Sequence, residues 1–117
     1  MQVIGDKPLV CFDVDDTLVF SDSLGGAWIG QTVIIGGRNW RVHWKHVQLL
    51  LDFKARGHTV VVWSQGGSKW AREVVQALNL EDSVDLIMPK PFWYVDDKLV
   101  SQWMEETRHT YLELEEK

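Results

Sequence analysis

Four short apolar runs, each followed at once by polar residues, are the feature that most limits the folds open to this chain. Largely apolar runs of four to six residues are typical of strands buried on both faces of a parallel sheet. In such sheets ligands bind at the carboxyl ends of the strands, so the polar clusters should meet at one edge. The runs and their clusters are 9–12 with Asp13-Val14-Asp15-Asp16-Thr17, 58–63 with Ser64-Gln65-Gly66-Gly67, 84–88 with Pro89-Lys90-Pro91, and 92–95 with Asp96-Asp97.

The segments between these runs predict helices and one hairpin. Apolar side chains recur near helical spacing over 43–56, and a second helix is predicted over 68–78. The tail from Leu99 is expected to be helical. The segment 18–42 predicts a loop and a β-hairpin that turns near Gly36-Gly37. Alternating strands and helices predict an α/β fold with a mostly parallel central sheet and helices on both faces.

The composition limits the setting and the partners of the protein. A chain of 117 residues, 45% of them hydrophobic, suits one domain spanning 1–117 around one core. Its net charge of −5 disfavours general electrostatic binding of long nucleic acid. One cysteine, no membrane-length apolar run and no secretion signal predict a cytoplasmic protein with no membrane partner.

Seven tryptophans and four histidines need separate interpretations. Most of the tryptophans are expected to fill the core or an interface, which is compatible with a monomer or a weak homodimer. Trp28, Trp40 and Trp44 are candidates to line a cleft and stack on a flat substrate group. The histidines lack metal-ligand spacing, so His43 and His46 are expected at surface positions or at hydrogen-bonded polar positions.

The acidic clusters predict a divalent metal site. If strand geometry persists, Asp13 and Asp15 lie two residues apart on the same side of the chain. Neighbouring carboxylates repel, so one of them must bind a cation or hold a proton. Asp96 and Asp97 would add negative charge at the same edge, with Lys90 as the basic counterweight. Mg²⁺, which prefers oxygen ligands, would balance these charges.

Ser64 lies at a strand-to-helix turn, where a hydroxyl and backbone amides can hold phosphate oxygens. The amides of Gln65, Gly66 and Gly67 would contribute to that cradle. A cation, an ammonium group, a hydroxyl and amides together suit phosphoryl transfer. An aspartate nucleophile and a second carboxyl acting as an acid would complete the site.

The segment 12–19, Phe-Asp-Val-Asp-Asp-Thr-Leu-Val, resembles the first motif of the haloacid dehalogenase (HAD) superfamily, Asp-x-Asp-x-Thr after an apolar strand. Ser64 resembles the second motif, Lys90 the third and Asp96-Asp97 the acidic fourth, in family order over about residues 8–98. The resemblance implies a three-layer Rossmann-like fold, with the 18–42 hairpin as a flap in place of a cap domain.

The resemblance also implies a role for each matching residue. Asp13 would be the nucleophile that forms an aspartyl-phosphate, and Asp15 would be the general acid and base. Mg²⁺ would be held by Asp13, by the backbone carbonyl of Asp15 and by Asp96, with Asp97 supporting the metal shell. Thr17 would brace the loop. The residues expected to contact the substrate are Thr17, Ser64, Gln65, Gly66 and Lys90.

The sequence departs from the family pattern in three places. Asp16 stands where the family often has glycine. Only five residues separate Lys90 from Asp96, so Lys69 is a substitute for the third motif. The chain has no room for a large cap, so the site should be open. In this respect the chain is similar to capless members and to the phosphatase half of polynucleotide kinase-phosphatases.

These features predict a Mg²⁺-dependent phosphomonoester hydrolase. A nucleotide, a sugar phosphate, a phosphoprotein and a nucleic acid 3′-phosphate end all remain possible substrates, and the flap is expected to select among them through Arg38 and Arg41. A receiver-like phosphoacceptor and a non-catalytic HAD-like binding module are the alternatives. Individually, Asp13 and Asp15 could form a solvated turn, Ser64 could cap the following helix, and Lys90 could be an exposed loop lysine.

Overall fold

The structure is a computed structural model that describes residues 4–5, 7–22, 28 and 30–105. Within these residues the chain forms strands, two α-helices and two short 3₁₀ turns. The strands are β1 (Leu9–Asp13), β2 (Val19–Ser21), β3 (Thr32–Ile35), β4 (Arg38–Val42), β5 (Thr59–Ser64) and β6 (Leu86–Pro89); the helices are α1 (Trp44–Ala55) and α2 (Ser68–Ala77); the 3₁₀ turns span Glu81–Ser83 and Val100–Gln102.

A parallel three-stranded sheet with the order β1-β5-β6 forms the centre of the fold. Asp13 lies opposite Trp63, and Ser64 lies opposite Pro89. The strands therefore end at nearly the same level along one edge. The three strands predicted from the first three apolar runs are confirmed, and so is the α/β class.

Both helices pack on one face of this sheet. Side chains from α1 and α2 join one buried cluster with alternate residues of β1 and β5, which include Phe12, Val60 and Val62. The steps from β1 to β5 and from β5 to β6 run in the same direction across the sheet. Right-handed crossovers that step the same way carry their helices to the same face. A helix on the second face, as predicted, is not seen among the described residues.

A second, antiparallel sheet with the order β2-β4-β3 contains the predicted hairpin. Its turn at Gly36 and Gly37 has φ values of 59° and 77°, a region that glycine adopts without steric cost. The prediction of a turn there is confirmed. Ile35 belongs to the main core cluster, so the flap packs against the domain; residues 23–27 and 29 of the flap lie outside the described residues.

Both predicted helices are confirmed to within two residues at each end. The side chain of His43 accepts a hydrogen bond from the backbone N–H of His46 at the start of α1. Gly57, with φ of 89°, follows its last turn, and Asn79, with φ of 56°, follows α2. Such left-handed residues commonly end helices. Neither described helix is long and apolar enough to cross a membrane.

The prediction of a strand over 92–95 is wrong. This segment pairs with no strand among the described residues, and Trp93 and Val95 are 91% and 103% exposed. Pro89 and Pro91 flank the point where the chain leaves β6, and proline has no N–H to continue a ladder. Of the predicted helical tail, the structure shows the short turn Val100–Gln102; residues 106–117 lie outside the described part.

Candidate active site

The parallel sheet brings three of the four polar clusters to one edge. Asp13 ends β1, and Ser64 ends the neighbouring β5. Lys90 follows β6, and its backbone N–H donates to the carbonyl of Ser64 over 2.9 Å. A carboxylate, a hydroxyl and a lysine thus come from three adjacent strand ends, where parallel α/β sheets bind ligands.

The loop after β1 is a tight turn that holds its polar side chains in place. The backbone N–H groups of Leu18 and Val19 donate to the carbonyl of Val14 over 2.9 and 3.2 Å. Asp16 has φ of 61°, and its N–H donates to the Val19 carbonyl over 2.8 Å. The hydroxyl of Thr17 lies 3.5 Å from Asp13 Oδ2. Thr17 is therefore placed to brace Asp13.

Two buried histidines form hydrogen bonds to the backbone of the loop after β1. His46 Nδ1 lies 2.7 Å from the carbonyl oxygen of Thr17, and the N–H of His43 donates to the Leu18 carbonyl over 2.9 Å. Because a carbonyl only accepts, Nδ1 of His46 must carry a hydrogen. The rings stack in parallel with centroids 3.7 Å apart, and the residues are 1% and 5% exposed. His43 and His46 are hydrogen-bonded polar groups of the core.

Asp15 is held by a tryptophan that the motif analysis did not select. Trp70 Nε1 donates to Asp15 Oδ1 over 3.1 Å. Although Asp15 is exposed as a whole residue, partial burial of its carboxyl raises the pKa above the ordinary value for aspartate. The Trp70 hydrogen bond lowers this pKa, and repulsion from Asp13 and Asp16 raises it, with a net upward shift. That direction favours a carboxyl that can donate a proton.

Trp70 also touches the turn that follows β5. A β-carbon at Gly66 would lie 3.2 Å from Trp70 Cδ1 and 3.3 Å from Ser64 Oγ. A side chain at position 66 would therefore press on both groups, and glycine avoids this. Trp70 lies in the first turn of α2, so one indole contacts both Asp15 and the Ser64 turn.

The Ser64 turn uses its own polar groups. Ser64 Oγ accepts from the N–H of Gly66 over 2.9 Å, and the Ser64 carbonyl accepts from the N–H of Gly67 over 3.1 Å. Two of the amides predicted to hold phosphate are thus engaged within the turn. Ser64 itself is fully buried. The capping alternative for Ser64 is wrong, because Gly67 occupies the N-cap position of α2 and no side chain makes a capping hydrogen bond there.

The fourth cluster lies apart from the sheet edge. Asp96 Oδ1 accepts from the backbone N–H of Lys98 over 3.0 Å, within its own turn, and Asp96 and Asp97 are both exposed. Lys69, the alternative to Lys90, is exposed in the first turn of α2. In the described part of the chain, no three His, Cys, Asp or Glu side chains are grouped to hold a metal ion.

The donor chemistry of the β1 loop nevertheless fits Mg²⁺. Asp13, Asp15 and Asp16 lie on one turn, and the first and third raise the pKa of the second by repulsion. The ion pairs found among the described residues are Arg41–Asp22 and Lys54–Asp85, so these three carboxylates have no basic partner there within 4.0 Å. Hard oxygen donors with uncompensated negative charge suit a small divalent cation.

The flap reaches the site through Trp40. The Trp40 ring packs against Trp70 with centroids 5.1 Å apart, and the exposed Arg38 lies over Trp40 at 5.5 Å. Arg41, by contrast, is buried, pairs with Asp22 over 2.9 Å and lies over Trp28 at 5.3 Å. Arg41 therefore has a structural place within the flap, whereas Arg38 is available to a substrate.

Comparison of the chain with models of known protein families, with curated proteins and with solved structures gave no match. The functional conclusion therefore depends on the residues and their geometry. Trp70 and His46 are the site contacts that sequence patterns did not reveal, because each acts on the β1 loop from another element.

Proposed function

We propose that the protein is a Mg²⁺-dependent phosphomonoester hydrolase that works through an aspartyl-phosphate on Asp13. The observation that supports this best is the β1 loop. It combines a half-buried carboxylate braced by Thr17 with a second carboxyl, two residues on, whose pKa is raised. The Asp13 carboxylate suits a nucleophile, and the Asp15 carboxyl suits a general acid and base.

The two carboxyls divide the reaction into two steps. Asp13 Oδ1 attacks phosphorus, since Oδ2 faces the Thr17 hydroxyl, and the bond from phosphorus to the leaving oxygen breaks. Asp15 gives its proton to that oxygen. In the second step water attacks the aspartyl-phosphate, and Asp15 takes a proton from the water. Inorganic phosphate leaves and the Asp13 carboxylate is restored.

Asp13 and the backbone carbonyl of Asp15 are the groups that would hold Mg²⁺, whose charge would neutralise the phosphate oxygens. Asp96 and Asp97 belong to this proposal only if the exposed 92–97 segment approaches β1. A complete three-layer Rossmann-like core, with helices on both faces of the sheet, is likewise part of the proposal.

The substrate is a phosphomonoester with an exposed phosphate. The flap packs onto the domain through Ile35 and Trp40, and Arg38 beside Trp40 favours a leaving group that is anionic or aromatic. Nucleotides and nucleic acid 3′-phosphate ends fit that preference better than sugar phosphates do. A cytoplasmic protein acting as a monomer or weak homodimer remains our expectation.

Hydrolysis of para-nitrophenyl phosphate with and without Mg²⁺ tests the proposal. Turnover should require Mg²⁺. Asp13→Asn should abolish turnover because the nucleophile is lost. Asp15→Asn should reduce turnover by about a hundredfold or more, because the base that takes a proton from water in the second step is lost. Asp82→Asn, an exposed change in the Glu81–Ser83 turn, is the matched control and should leave turnover unchanged.

Three results would contradict the proposal. Turnover that survives Asp13→Asn would place the nucleophile elsewhere. A long-lived phosphorylated protein without turnover would favour the phosphoacceptor alternative. No turnover and no phosphorylation with a broad panel of phosphate esters would favour a binding module. Circular dichroism of each variant separates loss of chemistry from loss of folding.

A further inference from the structure

One indole lies between the two halves of the candidate site. Trp70 Nε1 donates to Asp15 Oδ1 over 3.1 Å, and the same ring lies against Gly66 of the Ser64 turn. The ring also packs against Trp40 of the flap, at 5.1 Å between ring centroids. Trp70 therefore contacts the candidate acid, the strand-end turn and the flap.

We propose that Trp70 is a positioning residue that fixes the orientation of Asp15 and determines which of its oxygens transfers the proton. This inference rests on the proposed function, because it assigns the orientation of the acid in that reaction. Trp70 would not touch the reacting atoms; it would act through Asp15.

The assignment of the oxygens follows from hydrogen-bond chemistry. An indole N–H can donate but cannot accept, so Oδ1 of Asp15 must be the accepting oxygen. A protonated Asp15 that keeps this bond favours its proton on Oδ2, because the carbonyl oxygen of a carboxylic acid is a stronger acceptor than its hydroxyl oxygen. Proton transfer to the leaving oxygen therefore runs through Oδ2, and the return proton from water is taken by the same atom. Without the bond, the carboxyl could rotate and present either oxygen.

Packing against Trp40 and Gly66 keeps the indole in this orientation. Trp70 is half-buried, with Trp40 against its ring and Gly66 against its Cδ1 edge. Glycine at 66 allows that approach without crowding, since a β-carbon would come within 3.2 Å of the ring. Trp40 is in turn the residue that Arg38 covers at 5.5 Å. A substrate that contacts the flap would thus affect the orientation of Asp15 through the packed rings of Trp40 and Trp70.

The test is the dependence of kcat/KM on the leaving group. Alkyl phosphates need the acid because an alkoxide is a poor leaving group, whereas para-nitrophenolate leaves without a proton. Trp70→Phe keeps an aromatic ring but removes the N–H. It should lower kcat/KM for glycerol phosphate by about tenfold to a hundredfold, a part of the usual contribution of general acid catalysis, and for para-nitrophenyl phosphate by less than about threefold.

Further variants separate positioning from structure. Trp103→Phe, at a half-exposed tryptophan outside the site, is the matched control and should change neither value. In an Asp15→Asn background, Trp70→Phe should add no further selective loss, as expected for two residues that act as one unit. Trp70→His, which restores a ring N–H, should recover part of the glycerol phosphate activity. If Trp70→Phe does not fold, Trp70→Leu replaces it.

The outcomes distinguish this inference from the proposed function. The positioning role is overturned if the parent is active and Trp70→Phe lowers kcat/KM equally for both substrates, lowers it for neither or raises it for both. The proposed hydrolase activity would be unaffected by any of these results. A parent without Mg²⁺-dependent turnover of either substrate overturns both proposals. The positioning role is established if Trp70→Phe lowers kcat/KM selectively for glycerol phosphate in the parent and does not do so in the Asp15→Asn background.

Discussion

At the scale of single residues, Asp16 is where the loop geometry and the chemistry of the site meet. Its φ of 61° lies in the left-handed region, which aspartate tolerates better than most residues but which glycine adopts freely. Its carboxylate also raises the pKa of Asp15 by repulsion. The residue therefore has two separable effects, one on the backbone and one on the neighbouring charge.

Comparison of alanine with glycine at position 16 should isolate the backbone effect, because both replacements remove the charge. Asp16→Ala should lower the free energy of unfolding by about 1 kcal/mol, because alanine lacks the local hydrogen bonding that helps aspartate in this region. Asp16→Gly should leave it unchanged or raise it by up to about 1 kcal/mol. Urea unfolding measures both. Asn79→Gly, at φ of 56° after α2, is the control for left-handed strain without the charge; equal stability of the alanine and glycine variants at position 16 would contradict the prediction.

Single residues also show how far the sequence predicts the site. Asp13, Asp15 and Thr17 could be selected because they lie within five residues and their chemistry depends on local spacing. Trp70 and His46 could not, because their bonds to the loop join residues 55 and 29 positions apart. Periodicity marks Trp70 as a residue of α2, but it does not indicate that its indole points at Asp15.

At the scale of secondary structure elements, Asp85 ties α1 to the parallel sheet. Its Oδ1 accepts from Lys54 Nζ of α1 over 2.8 Å, and its Oδ2 accepts from the backbone N–H of Val60 over 2.8 Å. The Lys54 hydrogen bond, followed by the Val60 hydrogen bond, lowers the pKa of Asp85 below the ordinary value for aspartate. One exposed side chain thus joins α1, β5 and the start of β6.

This contact should make part of the stability depend on pH. A carboxyl whose pKa is lowered in the folded state stabilises the fold above its unfolded pKa of about 3.9, and the contribution is lost as the pH falls through the lower, folded value. Asp85→Asn should therefore lower the free energy of unfolding by about 0.5–1 kcal/mol at pH 7, since the two side chains are 37% and 34% exposed and solvent screens the pair.

The pH series distinguishes charge from packing. The difference between parent and Asp85→Asn should persist from neutral pH down to about pH 4 and then shrink below it. Asp82→Asn, exposed in the preceding turn, should give no such difference. A deficit in Asp85→Asn that stays constant down to about pH 2 would show that the carboxylate charge is not its cause.

Elements also explain where the fold prediction failed. The prediction from apolar content succeeded for β1, β5 and β6, each of which pairs with another strand. The same content over 92–95 forms no strand, because no sheet edge pairs with that segment among the described residues. A strand requires a hydrogen-bonding partner, which local composition does not encode. Similarly, helical periodicity located α1 and α2, but only the order of the strands determined that both lie on one face.

At the scale of the whole molecule, the β1 loop is a cluster of negative charge on a chain that is already acidic. The net charge is −5, and the three carboxylates of the β1 loop form no ion pair with a described residue. Repulsion from Asp13 and Asp16 contributes to the raised pKa of Asp15 in the folded protein. Bound Mg²⁺ would relieve it, so metal binding and global stability should be linked.

Thermal unfolding should therefore respond to Mg²⁺ more than to ionic strength. At a hundredfold excess over Kd, a ligand that binds only the folded state adds about 2.7 kcal/mol to the free energy of unfolding, so Mg²⁺ should raise Tm by several degrees for a chain of this size. NaCl at the same ionic strength screens the repulsion without binding, so it should raise Tm less than Mg²⁺ does. Asp13→Asn should remove the specific increase and also raise the Tm of the metal-free protein, since one repelling charge is gone.

Asp96→Asn then decides whether the fourth cluster belongs to the site. If the 92–97 segment contributes a ligand, this variant should need at least about tenfold more Mg²⁺ for the same increase in Tm, as loss of a supporting ligand commonly causes. If Asp96 stays in its own turn with Lys98, the Mg²⁺ response should match that of the parent. Equal increases with Mg²⁺ and NaCl in the parent would mean that the β1 loop binds no metal specifically, and hydrolysis by Asp13 would then have to proceed without one.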